Sequence, residues 1–134
     1  MADYPDISKA LFEKLTGTGA VTALVSTRIY DQYVPLGIAR PYVVFYHAGG
    51  GPGNTVPRET IDTVFRVEAV GEDNPTTKAV FNAVFAALHG QTLTISGWSN
   101  YWTKVDGVRT LVDQVDGKQL HRRMADVQIK ACEV

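Results

Sequence analysis

One amphipathic helix, predicted between Asn74 and Gly90, most constrains what this 134-residue chain can fold into. Asn74 is a favourable N-cap, Pro75 takes the first helical position and Gly90 lies just past the last periodic residue. The apolar stripe between them consists of Val80, Phe81, Val84, Phe85 and Leu88. Such a stripe needs a surface to cover it, and laid across a sheet this helix would form most of the core.

Most of the remaining sequence has the composition of β-strands. Residues 42–46 (Tyr-Val-Val-Phe-Tyr) are the densest β-branched and aromatic run and predict a central strand covered on both faces. Weak alternation over 28–34 predicts a short strand, and clearer alternation predicts another at about 60–70. Further strands are predicted over 92–95, 98–105, 109–115 and 120–132. Asp106-Gly107 and Asp116-Gly117 are typical hairpin-turn dipeptides.

The N-terminal region predicts two short helices. Asp6 can cap the first helix, which Gly17 ends, and its apolar positions recur at Ile7, Leu11 and Leu15. Thr18 is expected to cap a second helical turn over 21–25. The element order is therefore helix, strands, helix, strands, which predicts one α+β domain over residues 1–134 with a mainly antiparallel sheet.

A glycine-rich run follows the predicted central strand and comprises Gly49, Gly50, Gly51, Pro52, Gly53 and Asn54. Glycines are costly to order and proline lacks a backbone donor, so we expect a long mobile loop at a hairpin tip. A phosphate-binding loop would need a Lys-Ser/Thr pair and a helix start after it, and neither follows here. We interpret the run as a contact element for assembly.

The residues that could carry chemistry form no recognisable motif. His47, His89 and His121 fall on separate elements without metal-ligand spacing. Cys132 is the sole cysteine, so it predicts no internal disulfide and a reducing compartment. Most carboxylates fall at predicted turns, where Asp is favoured for backbone reasons. We therefore predict no catalytic residue, no metal site and no cofactor.

Charge and hydropathy exclude further classes. Lys and Arg number 13 against 14 Asp and Glu, a net charge of -1 that argues against a dedicated nucleic-acid-binding domain. No apolar run reaches the ~20 residues that span a bilayer, and the N-terminus lacks a signal-peptide pattern, so we expect a soluble intracellular chain with no membrane partner. The basic cluster His121-Arg122-Arg123 has two interpretations, a charged edge strand or a contact surface for a partner or nearby DNA.

Several short segments, in order, resemble one known family. They are 27–30 (Thr-Arg-Ile-Tyr), 40–45 (Arg-Pro-Tyr-Val-Val-Phe), 65–70 (Phe-Arg-Val-Glu-Ala-Val), 79–90 ending in Ala-Leu-His-Gly, and 123–129 (Arg-Met-Ala-Asp-Val-Gln-Ile). Together they resemble the tail-terminator, or tail-completion, proteins of siphophages. The resemblance covers nearly the whole chain.

The resemblance implies an α+β fold with a sheet flanked by helices. It also implies a homo-oligomeric ring, commonly a hexamer, that caps the head-proximal end of the tail tube in the virion after assembly in the host bacterial cytoplasm. The implied partners are the protein itself, the major tail tube protein and the head-completion or connector protein, with DNA only passing through the lumen. Our candidate assembly contacts are the glycine-rich run, Arg122 and Arg123.

Two alternatives stay open at this point. One is a small α+β enzyme or ligand-binding dimer with a pocket between the main helix and the sheet. The other is a different structural part of the same machine, such as a head-completion or minor tail protein.

Overall fold

The computed structural model describes residues 4–54 and 58–134. Along these two ranges the elements are, in chain order, α1 (Ile7–Thr16), α2 (Gly19–Val25), β1 (Ile29–Asp31), β2 (Tyr42–Pro52), β3 (Thr60–Gly71), α3 (Asn74–Leu88), β4 (Trp98–Val115) and β5 (Lys118–Glu133). Their strands form one sheet in the order β1-β2-β3-β5-β4. β1 runs parallel to β2, and every other neighbouring pair is antiparallel. This architecture confirms the predicted α+β class with a mainly antiparallel sheet.

The N-terminal helices begin and end close to the predicted residues. The Asp6 carboxylate accepts a hydrogen bond from the Lys9 backbone N–H at 3.1 Å, and this satisfies a donor of the first turn of α1. At the other end, the Gly17 N–H donates to the Glu13 carbonyl at 2.9 Å. Thr18 precedes α2 as expected, but its hydroxyl donates back to the Lys14 carbonyl and makes no capping bond.

The cap of α3 lies one residue before the predicted one. Asp73 is extended, and its carboxylate accepts from the Thr76 N–H at 2.7 Å, so Asn74 is already helical. A carboxylate is also favoured over an amide at the positive end of the helix dipole. In the described ranges, no helix is both long enough and apolar enough to cross a lipid bilayer.

The helices cover one face of the sheet. Buried side chains of α1, α2 and α3 pack with odd-numbered positions of β3 and β5, such as Phe65, Val67 and Ile129. Burying one such side chain contributes about 1.5–3 kcal/mol. Most of the predicted stripe of α3 is buried, but Phe85 is 38% exposed, because it lies at the margin of that stripe and its ring stacks on His89.

The other face, which carries the even-numbered positions of β3 and β5, is here called the open face. Val44, Val70 and Leu120 are buried there, outside the helix-packed cluster. Helices therefore cover one face of the strand at 42–46. On its other face Val44 is also buried, although it does not belong to the helix-packed cluster.

Two predictions for the last third of the chain are wrong. Residues 92–95 form no strand in the described structure and contribute only a single bridge from Ile95 to Trp98. Asp106-Gly107 does not turn the chain, because β5 continues alongside and the dipeptide lies at a register shift within β4. Asp116-Gly117 does form the hairpin turn, and both residues have the positive φ that a type I′ turn needs.

The glycine-rich run is also not the predicted mobile loop over most of its length. β2 continues to Pro52 and pairs with β3 from Gly49 opposite Val64 to Pro52 opposite Ile61, after a register shift that follows His47. Gly53 extends the contact, since its N–H donates to the Thr60 carbonyl at 2.7 Å. Cross-strand pairing with β3 thus overrides the low strand propensity of glycine.

Gly50 explains why glycine is needed in this strand. Its φ is +87°, and a Cβ added there would lie 2.2 Å from the Asp62 carbonyl oxygen and 2.6 Å from Thr63 Cα. Gly49 and Gly51 differ, because a Cβ added at either would meet nothing within 4 Å. One glycine of the three is therefore required by close backbone approach, and its two neighbours are not.

Candidate assembly surfaces

Each histidine that the sequence singled out has a local structural contact. A ring nitrogen of His47 lies 2.9 Å from the Thr63 hydroxyl. His89 Nδ1 accepts from the backbone N–H of Val105 at 3.1 Å. His121 is half-buried, and one of its ring nitrogens lies 3.3 Å from the side-chain oxygen of Gln119. No group of three or more His, Cys, Asp or Glu side chains in the described residues is placed to hold a metal ion.

Three shallow cavities border α1. The largest, 390 Å³, is lined by Asp6, Lys9, Ala10, Glu13, Thr94 and Ser96. The others measure 150 Å³ and 180 Å³ and also include residues of α1 or its cap. None of these three lies between α3 and the sheet, where the ligand-binding alternative places its pocket.

Two rows of polar side chains cross the open face. In the Glu68 row, the Tyr46 hydroxyl donates to Glu68 at 3.1 Å. Arg122 lies 3.7 Å from the same carboxylate and 3.4 Å from that of Asp113 on β4. This row joins four strands, from β2 to β4. Because Glu68 is only 7% exposed, its contacts work in a less polar environment than a surface ion pair.

The second row, the Asp126 row, is centred on Asp126 of β5. Its carboxylate lies 3.3 Å from the guanidinium groups of both Arg66 and Arg109. Hydrogen bonds with Tyr46 and then Asp126 raise the pKa of Arg66 above its usual value. Across the two rows each arginine faces a carboxylate, so this face is locally neutral and does not attract a polyanion.

Arg122 and Arg123 do not form one basic patch. Adjacent strand residues point to opposite faces, so Arg122 joins the Glu68 row while Arg123 lies 5.4 Å above the Phe81 ring on the helix side. The interpretation of this cluster as a charged edge strand is wrong, because β5 lies between β3 and β4. The sequence could not show this, since strand order depends on pairing between distant segments.

The candidate contacts also separate along the sheet. Gly51 pairs with Asp62, whereas Arg122 pairs with Val70 of the same strand. Asp62 and Val70 are eight positions apart along β3, which is roughly 26 Å at about 3.3 Å per residue. The glycine-rich run and the arginines are therefore at opposite ends of the sheet.

One open sheet edge belongs to β2. β1 pairs with β2 only at 43–45, and no other described strand lies on that side. The outer edge of β2 over residues 46–52 is here called the glycine edge. Its strand neighbour on the inner side, β3, continues along this whole stretch.

The opposite side of the sheet ends in β4, whose first half is closed by the chain that leaves α3. Gly90 N–H donates to the Thr103 carbonyl at 2.8 Å, and the His89 ring accepts from Val105. Beyond the register shift at 106–109, β5 is the only described strand that pairs with β4. The outer edge over residues 109–115 is here called the distal edge.

Exposed apolar side chains mark the distal half of β4. Val108, Leu111, Val112 and Val115 are 41–50% exposed. The sequence singled out the glycine-rich run as a contact element, but as a loop and not as a strand edge. It missed the distal edge, although the apolar residues just before Asp116-Gly117 were a signal for it. It also missed Leu36, which is 98% exposed in the loop between β1 and β2.

The fold is thus a helix-backed, mainly antiparallel sheet with two open edges among the described strands, and sequence comparison identifies its family. Residues 9–131 match the family described as tail completion protein gp17. The chain belongs to this family of structural phage tail proteins. The resemblance to tail-completion proteins is thereby confirmed.

Solved structures agree with this fold. A component of the virion of a native gene transfer agent particle aligns with a TM-score of 0.74 and 20% identity, over 94% of both chains. A second solved protein aligns with a TM-score of 0.54 and 16% identity, over 92% of this chain and 94% of the other. At these identities the likeness concerns the fold alone. No curated protein sequence matches this chain.

Proposed function

We propose that this protein forms a homo-oligomeric ring at the head-proximal end of the tail tube, with residues 1–134 acting as one domain. The ring ends tube polymerisation and provides the face on which the head connector docks. Membership of the tail completion family supports this role. So does the fold shared with a component of the virion of a gene transfer agent particle.

The observation that carries the proposal is the pair of open edges on opposite sides of one sheet. The glycine edge belongs to β2 and the distal edge to β4, so the two surfaces differ. A protein that associates through two different surfaces forms head-to-tail contacts, which close into a ring when the rotation between copies permits. A two-fold dimer would instead use one surface twice.

Partners and location follow from this role. The ring contacts the tube protein on one side and the connector on the other, and DNA passes through its lumen without specific binding. The ion-paired open face suits that passive contact with DNA, because its arginines are already neutralised. Arg122, Arg123 and Gly53-Asn54 remain candidate contacts with these partners. Assembly takes place in the host bacterial cytoplasm, and the product is carried in the virion.

The test is to measure solution mass by light scattering, image the protein by negative stain, and add it to polymerising tail tube protein. We expect rings, commonly of six copies, and tubes that stop growing once capped. A strict monomer that neither forms rings nor caps tubes would contradict the proposal. A dimer that binds a small molecule would favour the alternative of a ligand-binding protein.

A further inference from the structure

We propose that adjacent copies in the ring join by β-sheet extension, in which the distal edge of one copy pairs with the glycine edge of the next. This inference rests on the proposed ring and identifies the surface that holds it together. The occupant of each edge is thus a second copy of this chain, and every copy contributes both edges.

The two edges match in length and direction. The glycine edge covers residues 46–52 and the distal edge covers 109–115, about seven residues each. β4 runs antiparallel to β2 within one sheet, because three antiparallel pairings separate them. A neighbouring copy placed beside β4 in the same orientation therefore presents its β2 antiparallel, which is the stronger pairing geometry.

The side chains are complementary in size. Leu111 and Val112 project from the distal edge and are 46% and 50% exposed. The glycine edge offers Gly49 and Gly51, whose missing side chains leave open space. A strand with bulky side chains can approach such an edge without steric conflict, and covering Leu111 and Val112 adds apolar burial to the backbone hydrogen bonds.

The distal edge has little of the protection that normally keeps a strand edge unpaired, because its two charged side chains, Arg109 and Asp113, are already ion-paired within the same copy. Residues 109–115 (Arg-Thr-Leu-Val-Asp-Gln-Val) contain no proline and no lysine, and pair regularly with β5. Proteins usually protect such edges with charge, proline or a bulge, or by covering them. Residues 89–95 cover the first half of β4 and leave its second half open. This selective exposure indicates that the second half serves as an interface.

Keeping the faces of the two sheets aligned restricts the register to shifts of two residues. Leu111 and Asp113 lie on the open face, since they pair with Arg122 and Leu120. Gly51 and Gly49 lie on the same face opposite Asp62 and Val64. Directly opposed residues share a face. Of the registers that this permits, we choose the one that places Leu111 of one copy opposite Gly51 of the next and Asp113 opposite Gly49, because it brings the two open segments level with each other.

This register requires the copies to be displaced along the strands. The glycine edge lies beside the first half of β3, whereas the distal edge lies level with the end of β3 and beyond. Without this displacement, the glycine edge of the neighbour would lie beside the covered half of β4. The β1 strand of the neighbour would then separate the distal edge from β2. The staggered arrangement is the one in which both open segments meet.

The experiment uses oxidative cross-linking in a Cys132→Ser background, so that only introduced thiols react. The full chain carrying both Leu111→Cys and Gly51→Cys should give a ladder of covalent oligomers on a non-reducing gel, up to the size of the ring. The two single variants should run as monomers on the same gel. As a matched control, Tyr101→Cys with Gly51→Cys places a thiol on the covered half of β4 and should give no ladder.

The possible outcomes distinguish a failure of the proposed edge pairing from a failure of the proposed ring. Rings in the images without a Leu111–Gly51 ladder would overturn the edge pairing while leaving the proposed ring intact. Cross-linking of Leu111→Cys alone would indicate a two-fold contact between distal edges and would also overturn it. Monomers throughout, with unchanged melting, would contradict both proposals. A second variant, Gly51→Tyr, should keep the monomer folded and abolish ring formation.

Discussion

Glu68 on β3 and Arg122 on β5 face each other across the open face, with a carboxylate oxygen 3.7 Å from a guanidinium nitrogen. The side chain of Glu68 is 9% exposed and that of Arg122 is 35% exposed, so the acid is the more desolvated partner. The Tyr46 hydroxyl also donates to Glu68, which makes this carboxylate the centre of the Glu68 row.

Replacing Glu68 with alanine should therefore destabilise the fold. Glu68→Ala leaves the Arg122 guanidinium without its more buried partner and the Tyr46 hydroxyl without its acceptor, a loss of about 1–3 kcal/mol. Tyr46→Phe removes the hydroxyl alone and should cost less, about 0.5–1.5 kcal/mol. Urea unfolding of both variants measures the difference, and equal stability of Glu68→Ala and the wild type would show that the row contributes nothing.

The glycines of β2 should respond differently to substitution. Gly50→Ala forces a positive φ on an alanine and brings its Cβ against the Asp62 carbonyl, so we expect a loss of about 1–3 kcal/mol. Gly51→Ala is the matched control, because nothing lies within 4 Å of its added Cβ. Chemical denaturation of the two variants checks this, and a Gly50→Ala variant as stable as Gly51→Ala would be inconsistent with the bulged strand.

The N-cap of α3 predicts that the stability of the fold depends on pH. The backbone hydrogen bond from Thr76 lowers the pKa of Asp73 below its usual value. A carboxyl whose pKa is lower in the folded state stabilises the fold above its unfolded pKa, about 3.9, and this contribution is lost as the pH falls through the folded pKa. The melting temperature of the wild type should therefore exceed that of Asp73→Ala at neutral pH, and the gap should narrow on acidification.

Asp62→Asn is the control for that titration. Asp62 lies on β3 and is exposed, so Asp62→Asn removes a surface carboxylate while leaving the cap of α3 intact. Circular dichroism melts of the three proteins provide the comparison. A gap between the wild type and Asp73→Ala that stays constant as the pH falls would show that the capping bond does not depend on the carboxylate charge.

Leu36 offers a prediction about partners outside the ring. It is 98% exposed in the β1–β2 loop, so Leu36→Asp removes no packing within one copy and should leave the melting temperature within about 1–2 °C of the wild type. If this loop contacts the tube or the connector, the variant should form rings but cap tubes less efficiently. Tube length distributions in negative stain measure this, and unchanged capping would exclude Leu36 from the contact.

Local signals were sufficient for the helices. The Asp6 cap, the four-residue spacing and Gly17 predicted α1 to within a residue, and the Pro75 and Gly90 signals located α3. Capping and periodicity involve residues within one or two turns, so sequence order alone contains the information. The α+β class followed from the order of these elements.

The strands needed information that local sequence lacks. The glycine-rich run has poor strand propensity, yet β3 supplies a partner and Gly50 permits the close approach to Asp62. Asp106-Gly107 has the composition of a turn, but β5 passes it as a continuous partner. In both places tertiary strand pairing outweighed the local conformational preference of the sequence.

The sequence by itself thus determined where the helices begin and end, the α+β class and the absence of a recognisable catalytic motif, and its pattern pointed to the tail completion family. Only the tertiary structure decided which sheet edges are open. That outcome depends on contacts such as Gly90 with Thr103 and Arg28 with Val43, which join segments more than ten residues apart. Hydrogen bonds across such distances are set by how the elements pack, and for that reason the two edges proposed to join one copy to the next became visible only in the folded chain.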